Sequence, residues 1–69
     1  MKFVYMLKMR LSGDYDDVVM LFDDMRKVND AVFEFFEMED QRHRGLDGFQ
    51  YWLIDKDYGF FEVTTEIVQ

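Results

Sequence analysis

The period at which apolar residues recur changes where the glycines stand, and in a chain without proline these changes divide it into its elements. From Lys2 to Leu11 the period is two. Phe3, Tyr5, Leu7, Met9 and Leu11 share one side, and Val4, Met6, Lys8 and Arg10 the other, as in a strand. Ser12 and Gly13 interrupt it, and Asp14 then stands as an N-cap, with Asp16 and Asp17 placed for the positive end of a helix dipole. Val18, Leu21, Met25, Val28, Val32 and Phe35 follow at steps of three and four, the seam of an amphipathic helix. Arg42, His43 and Arg44 suit its negative end, and Gly45 its left-handed closing residue.

This spacing predicts one helix of about 30 residues, roughly 45 Å long, against about 33 Å for a ten-residue strand. A break at Val28-Asn29-Asp30, with Asn29 or Asp30 capping a second helix, would remove the mismatch. The seam passes that point without slipping, so an unbroken helix is the expectation. After Gly48 the residues Phe49 to Ile54 are dense in aromatic and β-branched types. Asp55-Lys56-Asp57-Tyr58-Gly59 reads as a turn with glycine at positive φ, and Phe60 to Val68 alternates again, so the segment reads as a hairpin. The expected order is β-α-β-β in one α+β domain over residues 1–69. Its three-stranded antiparallel sheet carries the helix on one face, with the third strand between the first two, half of a ferredoxin-like fold.

A chain of 69 residues buries a thin core, and one below about 70 to 80 residues rarely reaches more than roughly 3 to 5 kcal/mol without a disulfide, a metal or a partner. Cysteine is absent, which excludes disulfides, thiolate metal sites and a thiol nucleophile. Yet 13 residues are aromatic (8 Phe, 4 Tyr, 1 Trp) and 6 are methionine, more apolar mass than one small core hides. The excess points to an interface. Phe33 and Phe36 widen the helix seam, while Tyr51, Trp52 and Phe60 fall on faces that one helix cannot cover, so these five are the candidates for self-association as a homodimer.

Catalytic chemistry finds few residues. Ser12, the one serine, sits at a joint where its hydroxyl serves backbone donors, and His43, the one histidine, can form no histidine pair. Glu39 and Asp47 near His43 describe an acidic helix end as well as a metal site. Asp55 to Glu66 departs from a calcium loop, because Gly59 falls one position early and Phe60 takes the glycine's place. No enzyme activity, cofactor or metal is therefore expected. Lys8 and Arg10 interrupt the apolar start, so no signal peptide is expected, and no apolar stretch approaches the roughly 18 residues of a membrane span. A cytoplasmic protein is the expectation.

The charge layout is the stronger signal. The chain carries 15 acidic and 8 basic residues, a net charge of -7, which opposes direct binding to nucleic acid or anionic membrane and favours a basic partner. Asp16, Asp23, Asp30 and Glu37 recur every seven residues with Asp24 and Glu34 beside them, so on a helix they form one acidic stripe opposite the seam. Stacking one sign in this way costs self-repulsion, which a basic partner would relieve.

In length, charge and lack of catalytic residues the chain resembles the small acidic proteins that phages encode against host defence, anti-restriction and anti-CRISPR proteins among them. The resemblance covers no motif and transfers no residue. It implies a nucleic-acid mimic in the host cytoplasm: a non-enzymatic inhibitor whose carboxylates cover the nucleic-acid-binding surface of a protein or complex. The alternative is a homodimeric structural or regulatory module, antitoxin-like, whose acidity serves solubility alone.

Overall fold

The computed structural model describes residues 2–68. Strand β1 (Lys2–Leu11) is followed by β2 (Val18–Phe22), helix α1 (Met25–Phe35), a 3-10 segment (Glu39–Arg44) that runs into helix α2 (Gly45–Lys56), and strand β3 (Gly59–Val68). The fold is α+β, with one three-stranded sheet in the order β2-β1-β3, antiparallel at both junctions. The expected class and sheet stand. The placement of the elements differs: the first strand is central, two helices replace the single rod, and the sheet order departs from the half-ferredoxin arrangement.

Two segments exchanged roles. Val18 to Phe22 lies in a strand rather than in the first turns of a helix. Five consecutive apolar residues satisfy a helical seam and a strand equally, and the sheet wins because they pair with Met9 through Tyr5 of β1. Asp24, not Asp14, is the N-cap: it is extended, and its Oδ1 accepts from the Arg26 N–H at 2.8 Å. Phe49 to Ile54, read as a strand, is helical within α2. Phe49 and Leu53 bury one face at a spacing of four, with Leu46 and Trp52 packed beside them.

The helix break falls at Glu37, eight residues after the suspected Asn29. Glu37 takes φ 56°, the Met38 N–H donates to the Phe33 carbonyl at 3.0 Å, and the chain reverses. Helix α2 ends in the same way, with Asp57 at φ 57° and the Tyr58 N–H on the Leu53 carbonyl at 3.0 Å. The expected hairpin turn at Asp55–Gly59 is therefore a helix end. Gly59 is needed for space and not for positive φ: a Cβ there would lie 2.5 Å from the Arg10 carbonyl oxygen and 2.7 Å from Phe36. Gly45 does adopt positive φ, at 72°, where the 3-10 segment meets α2.

Odd-numbered residues of β1 face the helices. Leu7 and Met9 join Val28, Val32, Phe33, Phe36, Phe49, Leu53 and Phe61 in one buried core. Phe49 is its centre, with ring centroids 4.6 Å from Phe33, 5.8 Å from Phe36, 5.9 Å from Trp52 and 6.2 Å from Phe61. The even-numbered residues of β1 and their cross-strand partners form the opposite face, over which no helix of the described residues lies. Among the described residues no helix is long and apolar enough to cross a membrane.

Candidate functional site

The acidic stripe read from the sequence does not exist as one helical flank, because only Asp30 and Glu34 lie on α1. Asp16 belongs to the β1–β2 connection, Asp23 and Asp24 to the β2–α1 turn, and Glu37 to the reversal after α1. Several carboxylates already have partners. Lys27 Nζ donates to Asp23 Oδ1 at 2.8 Å, Arg42 Nη1 to Asp30 Oδ1 at 2.6 Å, and Arg42 Nε to Glu39, while Arg10 approaches Asp17 at 3.7 Å.

The bond from Lys27 holds the Asp23 carboxyl below its ordinary pKa, and that from Arg42 does the same for Glu39. Lys27 and Arg42 are raised in turn by their carboxylate partners. Both carboxyl groups are depressed in the folded state, so what the pairs contribute is present above the ordinary carboxylate range. It is lost as pH falls through the lowered folded values, an acid-side loss that a urea titration between neutral pH and about pH 3 will read. These pairs are exposed, and such pairs contribute little.

What the structure brings together instead is an apolar strand with an acidic border. All of β2 is apolar, and Val18, Val19, Met20 and Leu21 are exposed, Leu21 by 66%. Val18, Met20 and Phe22 face the helix side and Val19 and Leu21 the bare side, because their partners are Met9, Leu7 and Tyr5 on one face and Lys8 and Met6 on the other. Alpha helix α1 only partly covers the strand, leaving a recess lined by Met9, Met20, Ala31, Glu34 and Phe35. Asp14, Asp16 and Asp17 stand before β2, and Asp23 and Asp24 after it. The helical seam expected from the sequence takes in Val18 and Leu21 and so misses this strand, whose signal is the two acidic clusters bracketing five uncharged residues.

The five candidates for self-association separate. Phe33 and Phe36 are core residues, 0% and 6% exposed, and form no surface. Tyr51 is 78% exposed on α2, whereas Trp52 is half-buried, stacked on Phe49 and Tyr58 with the Arg44 guanidinium 5.4 Å above it. Phe60 lies on the bare face opposite Arg10.

His43 turns its Nδ1 to the Asp40 carbonyl at 3.0 Å. Among the described residues no three His, Asp or Glu side chains stand close enough to share a metal ion, those of His43, Glu39 and Asp47 included. Ser12 Oγ donates to Asp57 Oδ1 at 3.2 Å, joining the two loops at one end of the sheet. Compared with known proteins, the chain matches no family model, no curated protein and no solved structure, so its function has to be read from its own surface.

Proposed function

We propose that the chain is a non-catalytic binding protein that docks on a basic surface of another protein, of the kind that otherwise holds nucleic acid, and so inhibits it in the cytoplasm. This is the mode of the small acidic anti-defence proteins it resembles. The observation that supports it is the placement of the acidic excess: Asp14, Asp16, Asp17, Asp23, Asp24 and Glu34 border a strand whose apolar side chains remain exposed. Like charges gathered beside exposed apolar area raise the energy of the isolated chain, and a basic partner with an apolar ridge lowers both costs together. Asp17, Asp23, Asp24 and Asp30 are engaged within the chain, so the groups that imitate phosphates are Asp14, Asp16 and Glu34. Capture from a nuclease-treated lysate tests this. Basic proteins should be retained at about 50 mM salt, released by about 300 mM, and lost when Asp14 and Asp16 are both changed to Lys; retention that ignores salt and both changes would defeat the proposal.

A second reading, a homodimer through the bare sheet face, draws on a different observation. Val4, Met6, Val19 and Leu21 form its apolar centre, while Lys8 stands opposite Glu62 and Arg10 beside Asp17. Charge is close to balanced there, so two copies of an acidic chain would meet on this face with the least repulsion. Sedimentation equilibrium showing only monomer up to hundreds of micromolar would remove this reading.

A further inference from the structure

The two outer edges of the sheet are built differently. On β3 the Gln50 side chain reaches over from α2: its Nε2 donates to the Phe61 carbonyl, and its Oε1 accepts from the Phe61 N–H at 3.3 Å. At Phe61 that edge is capped by an amide standing in for a neighbouring strand. The same contact fixes the direction of every backbone group in the sheet. Phe61 turns its N–H and C=O away from β1, so Met9 and Phe61 are a non-hydrogen-bonded pair. Met9, Leu7 and Tyr5 then bond to β2, through Val18, Met20 and Phe22, and the N–H and C=O groups of Val19 and Leu21 point to the free edge of β2.

We infer that this edge takes up an extended, basic segment of the partner as a fourth strand. The inference rests on the reading above that the partner is basic, and adds how it is held. Edge strands of natural proteins are blunted by proline, lysine, a bulge or a covering element, and Val18–Phe22 contains none of these residues. Alternate side chains of an added strand would enter the recess between β2 and α1, lined by Met20, Ala31 and Phe35, or lie beside Val19 and Leu21 on the bare face.

Charge decides the occupant. Six carboxylates (Asp14, Asp16, Asp17, Asp23, Asp24 and Glu34) stand along this border against four cations, Arg10, Lys27, Lys8 across from Val19 and Lys2 near Asp23, while Arg26 turns to a different recess with Asn29 and Leu46. A second copy fits badly. Antiparallel pairing that joins Val19 of one chain to Leu21 of the other sets Asp17 against Asp23 and Asp16 against Asp24 at both ends, and like charges directly opposite are destabilising. A segment with alternating apolar residues and Lys or Arg at its ends meets the strand and both acidic flanks in either direction.

The full chain, isotope-labelled, is titrated with the peptide KRVTVTVRK and with EEVTVTVEE. The basic peptide should bind saturably, with amide shifts centred on Val18–Phe22, and the acidic one should not. Leu21→Pro, which removes an edge-facing N–H and leaves the ladder to β1, should weaken binding about tenfold or more with the circular dichroism spectrum retained. Should that variant unfold, two versions of the basic peptide, N-methylated on one or the other alternate set of amides, replace it: one set alone should lose binding. Strand addition is overturned by the absence of saturable binding at millimolar peptide, by shifts centred elsewhere, or by both N-methylated sets binding alike. In the last two cases the basic-partner reading survives if the acidic peptide still fails. Equal binding of both peptides at β2 defeats the basic partner, and with it the inference. Shifts at β2 that follow protein concentration without peptide identify a second copy as the occupant, which also overturns it.

Discussion

Strands β2 and β3 flank the same central strand, and the chain treats them in opposite ways. Beta strand β3 runs ten residues, packs Phe61 and Val63 against α2 and has its edge covered at Phe61 by Gln50. Beta strand β2 runs five residues, is apolar on both faces, and is left open along its edge and over one face. The buried core therefore lies where α1 and α2 meet β1 and β3, and the exposed apolar area along the β2 border. A small domain has little stability to spare, and an apolar strand left uncovered at its margin adds little to it.

The largest test falls on the covered half. Phe49 is fully buried among four aromatic rings, and Phe49→Ala should cost about 3 to 5 kcal/mol, enough to unfold a chain of this size. Loss of the circular dichroism spectrum checks it; a variant that stays folded at room temperature would mean that stability is not concentrated there. Gly59→Ala comes next. The added methyl meets the Arg10 carbonyl at 2.5 Å, backbone that cannot step aside without parting β1 from β3, and the cost should be about 1 to 3 kcal/mol by urea unfolding.

Gln50→Leu sharpens the contrast more directly. It keeps the apolar stem against β3 and removes the amide, leaving the part-buried Phe61 N–H and C=O without partners, at about 1 to 2 kcal/mol. It also opens the β3 edge at Phe61. Light scattering should show association that the parent chain lacks at equal concentration, and an unchanged scattering profile would show that the amide has no part in guarding the edge.

How far the sequence made this legible follows the same division. The period of two in Lys2–Leu11 identified the first strand and the side that became core, because Leu7 and Met9 face a full helical layer, but not its central place in the sheet. The third strand was legible too, from Phe61 and Val63. The middle was not. Helix α1 stops at Glu37, which carries no glycine signal, so that reversal was invisible; the one at Asp57 was legible as a turn but not as a helix end, and Gly45 and Gly48 read as breakers yet lie in α2. Val18–Phe22 imitated a seam because a strand exposed on both faces can be apolar on both, and then no alternation remains to betray it. The acidic groups were legible as an excess; their placement depended on the turns and was not. Gln50 as an edge stopper leaves no trace in the sequence at all.

The smallest expected effect is the one that defines β2. Full burial of a leucine is worth about 1.5 to 3 kcal/mol, and Leu21 remains 66% exposed, so it holds only a fraction of that against the fold. Gln keeps the length of the side chain and leaves the backbone bonds untouched, with a modest loss in strand preference. Leu21→Gln should therefore shift stability by no more than about 0.5 kcal/mol, within the range of ordinary surface changes, and leave the melting curve nearly superimposed on the parent's. The measurement discriminates because the alternative is large. If the bare face is covered by a second copy in solution, Leu21 is buried in the dimer, and the same change would lower the melting temperature in a concentration-dependent way, by as much as Gln50→Leu does. A melting curve that shifts with protein concentration for the parent chain but not for Leu21→Gln would place the apolar strand inside a homodimer and remove it from the surface offered to a basic partner.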